Sequence, residues 1–134
     1  MKKITLSIIG IIILCGALFL TYEYVTDKKI DDVFLTTTIA KDGKPADKKT
    51  TFGTHESIYA VAKQNRFWTK EAEIVLYKGD ITGANRIDVQ KNIKVNKKGY
   101  FTLKLAYLTP GKYGVAVYVD GNNIIETSTT FTVQ

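Results

Sequence analysis

The chain has 134 residues, of which 24% are charged and 11% aromatic, and a formal net charge of +6 at pH 7. A single cysteine excludes a disulfide framework, a single histidine excludes a multi-histidine metal site, and this length holds one domain. The charge falls to +4 when Lys2 and Lys3 are set aside, and acidic residues interleave the lysine-rich stretches, so nucleic-acid binding is not expected.

Met1-Lys2-Lys3 leads into an apolar run without charge from Ile4 to Leu20. At about 1.5 Å per residue this run reaches roughly 26 Å, short of a ~30 Å hydrocarbon core, so Thr21 and Tyr22 must extend it. The prediction is an N-terminal signal anchor over residues 1–25 with a transmembrane helix at about 4–22. Tyr22 and Tyr24 then fall in an interfacial aromatic belt. Lys2 and Lys3 put the N-terminus in the cytoplasm and the domain outside, although Lys28 and Lys29 balance them by count. Two alternatives are weaker. Cleavage after Ala17 would leave Leu18-Phe19-Leu20 as an apolar new terminus, and lipid attachment at Cys15 is opposed by the bulky Leu14 before it. The expected location is therefore the cell membrane, with secretion or lipid anchoring as alternatives.

A short linker, 26–31, precedes a domain over 32–134 with period-two alternation broken by Gly, Asn and Asp. Asp32 to Ala40 sets Val33, Leu35, Thr37 and Ile39 on one face, closed by the turn Lys41-Asp42-Gly43-Lys44-Pro45. Ser57 to Lys63 alternates Ile58, Ala60 and Ala62 against Tyr59 and Val61. Ala72 to Lys78 sets Ile74 and Leu76 against Val75 and Tyr77. Arg86 to Val95 is interrupted at Lys91-Asn92, and Asn96-Lys97-Lys98-Gly99 reads as a hairpin turn. Tyr100 to Leu108 places Phe101, Leu103 and Leu105 together. After Pro110-Gly111, Tyr113 to Val119 turns Tyr113, Val115, Val117 and Val119 inward, and Asp120-Gly121-Asn122-Asn123 leads into Ile124 to Val133.

Seven or eight short strands in about a hundred residues, with no amphipathic helix after the anchor, predict an all-β fold: an antiparallel two-sheet sandwich, with a barrel as the alternative. A parallel α/β fold is excluded because no crossover helix is available. With no disulfide, the core alone must hold this domain.

The stretch Leu108-Thr109-Pro110-Gly111-Lys112-Tyr113 followed by Gly114-Val115-Ala116-Val117-Tyr118-Val119 resembles the penultimate strand of immunoglobulin-like and fibronectin type III-like domains. The closing Thr130-Phe131-Thr132-Val133 is similar to the last strand of bacterial surface modules of that kind. The resemblance implies that Tyr113 is a structural tyrosine corner, its ring in the core and its hydroxyl bonded to nearby backbone. Two features depart from the pattern: no cysteine pair is present, and Trp68 lies before the third strand rather than within it.

No catalytic set, metal site or cofactor cradle is legible, and no enzymatic activity is expected. Lone His55 sits in a loop, and Asp42, Asp80 and Asp120 occupy turns, where aspartate is favoured for backbone reasons. The lysine-rich groups Lys41/Lys44/Lys48/Lys49 and Lys91/Lys94/Lys97/Lys98 read as protection against edge-to-edge aggregation. The candidate binding surface is aromatic: Phe67 and Trp68 with Tyr59, Tyr77 and Tyr118, the tyrosines facing away from the aliphatic side of their strands. The expected function is an anchored extracytoplasmic binding or scaffolding module for a protein partner, met through sandwich loops or an edge strand. Binding of carbohydrate or cell-envelope polymer is one alternative. An accessory subunit of a membrane complex, packed through Ser7, Gly10, Gly16 and Ala17, is another.

Overall fold

The computed structural model describes residues 2–26, 29–119 and 121–134. Lys28, Asp120 and the side chain of Tyr24, all used in reading the sequence, lie outside the described residues. Helix α1 (Lys2–Thr26) is followed by eight strands: β1 (Phe34–Thr36), β2 (Thr51–Phe52), β3 (Tyr59–Lys63), β4 (Glu71–Lys78), β5 (Arg86–Lys94), β6 (Tyr100–Lys104), β7 (Gly111–Val119) and β8 (Ile125–Val133). The one other helical element among the described residues is a single 3-10 turn, Gly83–Asn85.

The strands form two sheets, one of order β1-β3-β6 and one of order β2-β8-β7-β4-β5. The fold is a β-sandwich, and the alternation in the sequence explains its core. Ala60, Ala62 and Phe101 from the smaller sheet face Ile74, Leu76, Val115, Val117 and Phe131 from the larger one. Near one end Phe131 meets Phe52 edge-on at 6.0 Å and stacks on Tyr113 at 5.6 Å.

Several elements differ from the pattern in the sequence. Only Phe34–Thr36 of the expected first strand pairs in the sheet, because the Asp47 carboxylate accepts hydrogen bonds from the Thr36 and Thr37 hydroxyls and the Thr37 amide and so turns the chain away. The sandwich is not wholly antiparallel, since the two-residue β2 runs parallel to β8, Thr51 beside Thr132 and Phe52 beside Val133. Ile30, assigned to the linker, is fully buried and bridged to Gln64. The break foreseen at Lys91-Asn92 is a β-bulge, with Asn92 at φ 58°, one of two irregularities in the β4–β5 ladder. Asn96–Gly99 does turn the chain, with the Asn96 amide donating to the Tyr100 carbonyl at 2.9 Å, yet the strands it joins enter different sheets.

Helix α1 stands outside this core. Its apolar stretch Lys3–Tyr22 has no residue buried against the sandwich, so it satisfies its own backbone but leaves its side chains uncovered.

Candidate binding surfaces

The five aromatic residues singled out in the sequence do not form one surface. Tyr77 on β4 and Tyr118 on β7 lie on the outer face of the five-stranded sheet, as their strand positions require, but both are buried. With Val75, Ala116, Ile81 and Val89 they form a second, smaller core. The β4–β5 connection folds back across the sheet and supplies Ile81, which packs so closely on Gly114 that a Cβ there would stand 2.6 Å from Ile81 Cγ1. The two hydroxyls hydrogen-bond to each other at 2.8 Å, and the Arg86 guanidinium lies 6.0 Å from both ring centroids. Burial, reinforced by the Tyr77 hydroxyl, raises the Tyr118 phenol above its ordinary range, and hydrogen bonds to both tyrosines raise the Arg86 guanidinium. Most of both rings is thus packed inside this second core, and Tyr118 with Arg86 lines a shallow cleft beside Glu73 and Lys91.

Tyr59 belongs to the other sheet, half-buried beneath Lys104, whose Nζ is 5.9 Å from its ring centroid. Phe67 and Trp68 sit in the β3–β4 loop at one end of the sandwich, their rings edge-to-face at 5.0 Å. Trp68 is partly exposed and is not a core residue. Tyr113 is buried at the start of β7, and its hydroxyl donates to the Thr109 carbonyl oxygen at 2.7 Å.

The sequence gives no warning of the open side of the sandwich. The five-stranded sheet is wider than its partner, and β5 overhangs β6. Asp88 and Gln90 of β5 pair with Leu76 and Ile74 and so share their inward-facing side, but no strand lies opposite them. They line instead a cleft of about 390 Å³ with Glu56, Lys104, Leu105 and exposed Tyr107.

Beside this cleft, β6 pairs among the described residues only with β3. The Leu105 amide donates to the Ile58 carbonyl at 2.8 Å, so the alternation of an antiparallel ladder turns the amides of Thr102 and Lys104 to the open side. The Thr102 hydroxyl is buried and has no hydrogen-bond partner. The edges at β1 and β5 are guarded. Beside β1, the Lys49 amide donates to the Leu35 carbonyl, while β5 carries its bulges together with Lys91 and Lys94.

A further cleft, about 590 Å³, lies outside the three-stranded sheet between Asp31, Asp32, Lys44, Lys48 and Lys63, with Phe34 and Tyr100 as apolar walls. Lys48 Nζ already covers the Phe34 ring at 3.7 Å, so part of this space is taken by an internal cation–π contact. Among the described residues no group of three His, Cys, Asp or Glu side chains converges as a metal site.

These features define a β-sandwich domain that follows an N-terminal apolar helix. No family model matches the chain, and no curated protein matches it. Among solved structures it is similar to the crystal structure of the PmoD soluble domain from Methylocystis sp. ATCC 49242 (Rockwell), with a TM-score of 0.50 and 13% identity over 78% of this chain and 90% of that one. At that identity the likeness speaks for the fold alone.

Proposed function

We propose that this protein is a membrane-anchored, extracytoplasmic binding module that recognises a protein partner by strand addition at β6. The observation that carries the reading is the unpaired β6 edge beneath the overhang of β5. An extended segment laid there would pair with the outward amides of Thr102 and Lys104, stand opposite Asp88 and Gln90, and widen the smaller sheet to four strands. Its alternating side chains would give specificity, since every second one would face the partly covered Leu103 at the margin of the core that buries Leu105.

The strand order supports an immunoglobulin-like assignment. In that fold a tyrosine-corner strand lies centrally in one sheet, while the opposite sheet carries a strand beyond the one corresponding to β6. Among the described residues no fourth strand pairs beyond β6, so the proposed partner would occupy that place. The anchoring part of the reading rests on the uncovered apolar surface of α1, which a bilayer would bury. Dispersal of the aromatic residues over three regions weighs against a sugar-stacking platform.

Photo-crosslinking in native membranes tests the partner reading. A photoreactive residue at position 88 or 90 should give a protein adduct, and one at Thr130 on the far face should not. Lys104→Pro should abolish the adduct while leaving β3 pairing intact, because proline is tolerated where an edge-strand amide faces outward. Adducts of equal yield at all positions, or persistence in Lys104→Pro, would refute strand addition. The N-terminal mass of the membrane-bound protein tests the anchor: an intact Met1 start is expected, and a start at Leu18 or an adduct on Cys15 would replace it with secretion or lipidation.

A further inference from the structure

We infer that the end of the sandwich bearing Phe67, Trp68, Ile124 and Ile125 docks on the headgroup region of the bilayer that holds α1. This rests on the anchored reading above. Strands β4 and β8 begin at this end while β3, β5 and β7 finish there, so it collects the β3–β4, β5–β6 and β7–β8 connections. Here Phe67 is 70% exposed, Trp68 39%, Ile124 67% and Ile125 42%, which leaves two large apolar side chains largely exposed and two partly exposed at one pole.

The chain itself determines which surface meets them. The apolar span ends at Tyr22 and the helix at Thr26, four residues or about 6 Å further. Three peptide steps of about 3.8 Å then reach Lys29. Lys29 is fixed to the sandwich at this same pole: the Asn65 amide donates to its carbonyl at 2.9 Å, and its own amide donates to Glu126 at 3.2 Å. Lys29 also lines one pocket with Trp68 and Val119. The pole therefore stays within about 17 Å of the edge of the hydrocarbon, of which the headgroups occupy roughly 5 to 7 Å. The opposite pole is a nine-residue strand away, about 30 Å.

The chemistry suits an interface. Tryptophan partitions to the headgroup level, where its apolar body and its indole N–H are both satisfied, and phenylalanine and isoleucine bury at the boundary between headgroups and acyl chains. The charged residues around them are mixed, with Lys29, Lys70, Lys97 and Lys98 set against Asp31, Asp32, Glu71 and Glu126. Apolar insertion, not net charge, would then carry the contact, and anionic lipid would not be required.

Trp68 is the only tryptophan, so its emission reports on this pole without labelling. The full chain reconstituted in pure phosphatidylcholine vesicles should show blue-shifted Trp68 emission, quenched about twofold or more by a headgroup spin label and much less by a label deep in the acyl chain. The quenching should persist in high salt. The double variant Phe67→Ser with Ile124→Ser should lose it while keeping the near-ultraviolet circular dichroism of the sandwich. Flotation of the same vesicles separates the two proposals. Protein that fails to float removes the anchor and this inference with it. Protein that floats with Trp68 open to iodide and untouched by the headgroup label overturns the docking alone. A blue shift without lipid quenching means that a second copy or another protein covers the pole, and also overturns it.

Discussion

Replacing Tyr113 by phenylalanine isolates a single hydrogen bond at the edge of the core. The ring stays, stacked on Phe131 at 5.6 Å, and the loss is the hydroxyl that donates to the Thr109 carbonyl at 2.7 Å. Because Thr109 is exposed, water can take over its carbonyl, so the penalty for a buried unsatisfied group does not apply and only the net bond, about 0.5–1.5 kcal/mol, is lost. Removing the ring with Tyr113→Ala should cost about 3–5 kcal/mol, so the two variants separate packing from hydrogen bonding. Urea unfolding of the full chain in detergent, followed by Trp68 fluorescence, reads both, with the m-value of Tyr113→Phe unchanged. The Thr109 hydroxyl lies 3.2 Å from the same phenol and is a competing acceptor. If the carbonyl is the true partner, Thr109→Ala should cost little, and its double-mutant cycle with Tyr113→Phe should show coupling below about 0.5 kcal/mol. Coupling above about 1 kcal/mol, or a Tyr113→Phe loss as large as that of alanine, would refute the assignment.

Tyr77→Phe and Tyr118→Phe should each destabilise the domain by about 1–2 kcal/mol in the same unfolding assay, with favourable coupling between them, because their hydroxyls bond each other in a buried site. Gly114→Ala should cost about 1–3 kcal/mol through its clash with Ile81, and Ile81→Ala in the same chain should recover part of the loss. Acid should destabilise the distal loops. Hydrogen bonds from Thr36 and Thr37 hold the Asp47 carboxyl below its ordinary range, and the Gly53 amide and Lys49 do the same for Glu56. Carboxyls depressed by folding contribute stability that is present above their unfolded values, about 4, and lost as pH falls through the folded ones. Asp47→Asn should therefore flatten the acid limb of a stability-against-pH curve and leave its neutral region parallel to the parent's.

The strand faces were legible because alternation is local. Ile74 and Leu76 point to the core opposite Val115 and Val117 as their spacing dictates, and Tyr113 occupies the inward position that follows Pro110-Gly111. The two-residue β2 was not legible, since it has no periodicity of its own and exists only beside β8. Nor was the division of Asn96–Gly99 between sheets, because a turn sequence reports the reversal of the chain and not the partner each arm finds. Least legible was how the candidate aromatic residues are distributed over the molecule. Alternation puts Tyr77 and Tyr118 on the outer face of their sheet, but a strand pattern does not say whether a loop will return to cover that face, and Ile81 does.

The sequence by itself determined the uncharged apolar segment, the all-β character of the remainder and the side of the strand on which each residue lies, since these follow from composition and a period of two. Tertiary structure alone decided which of those sides are open. The breadth of one sheet over the other leaves one edge of β6 open, and the attachment of Lys29 beside Trp68 assigns one pole to the end of the helix. Both are outcomes of pairing between residues far apart in the chain, and local pattern carries no record of them.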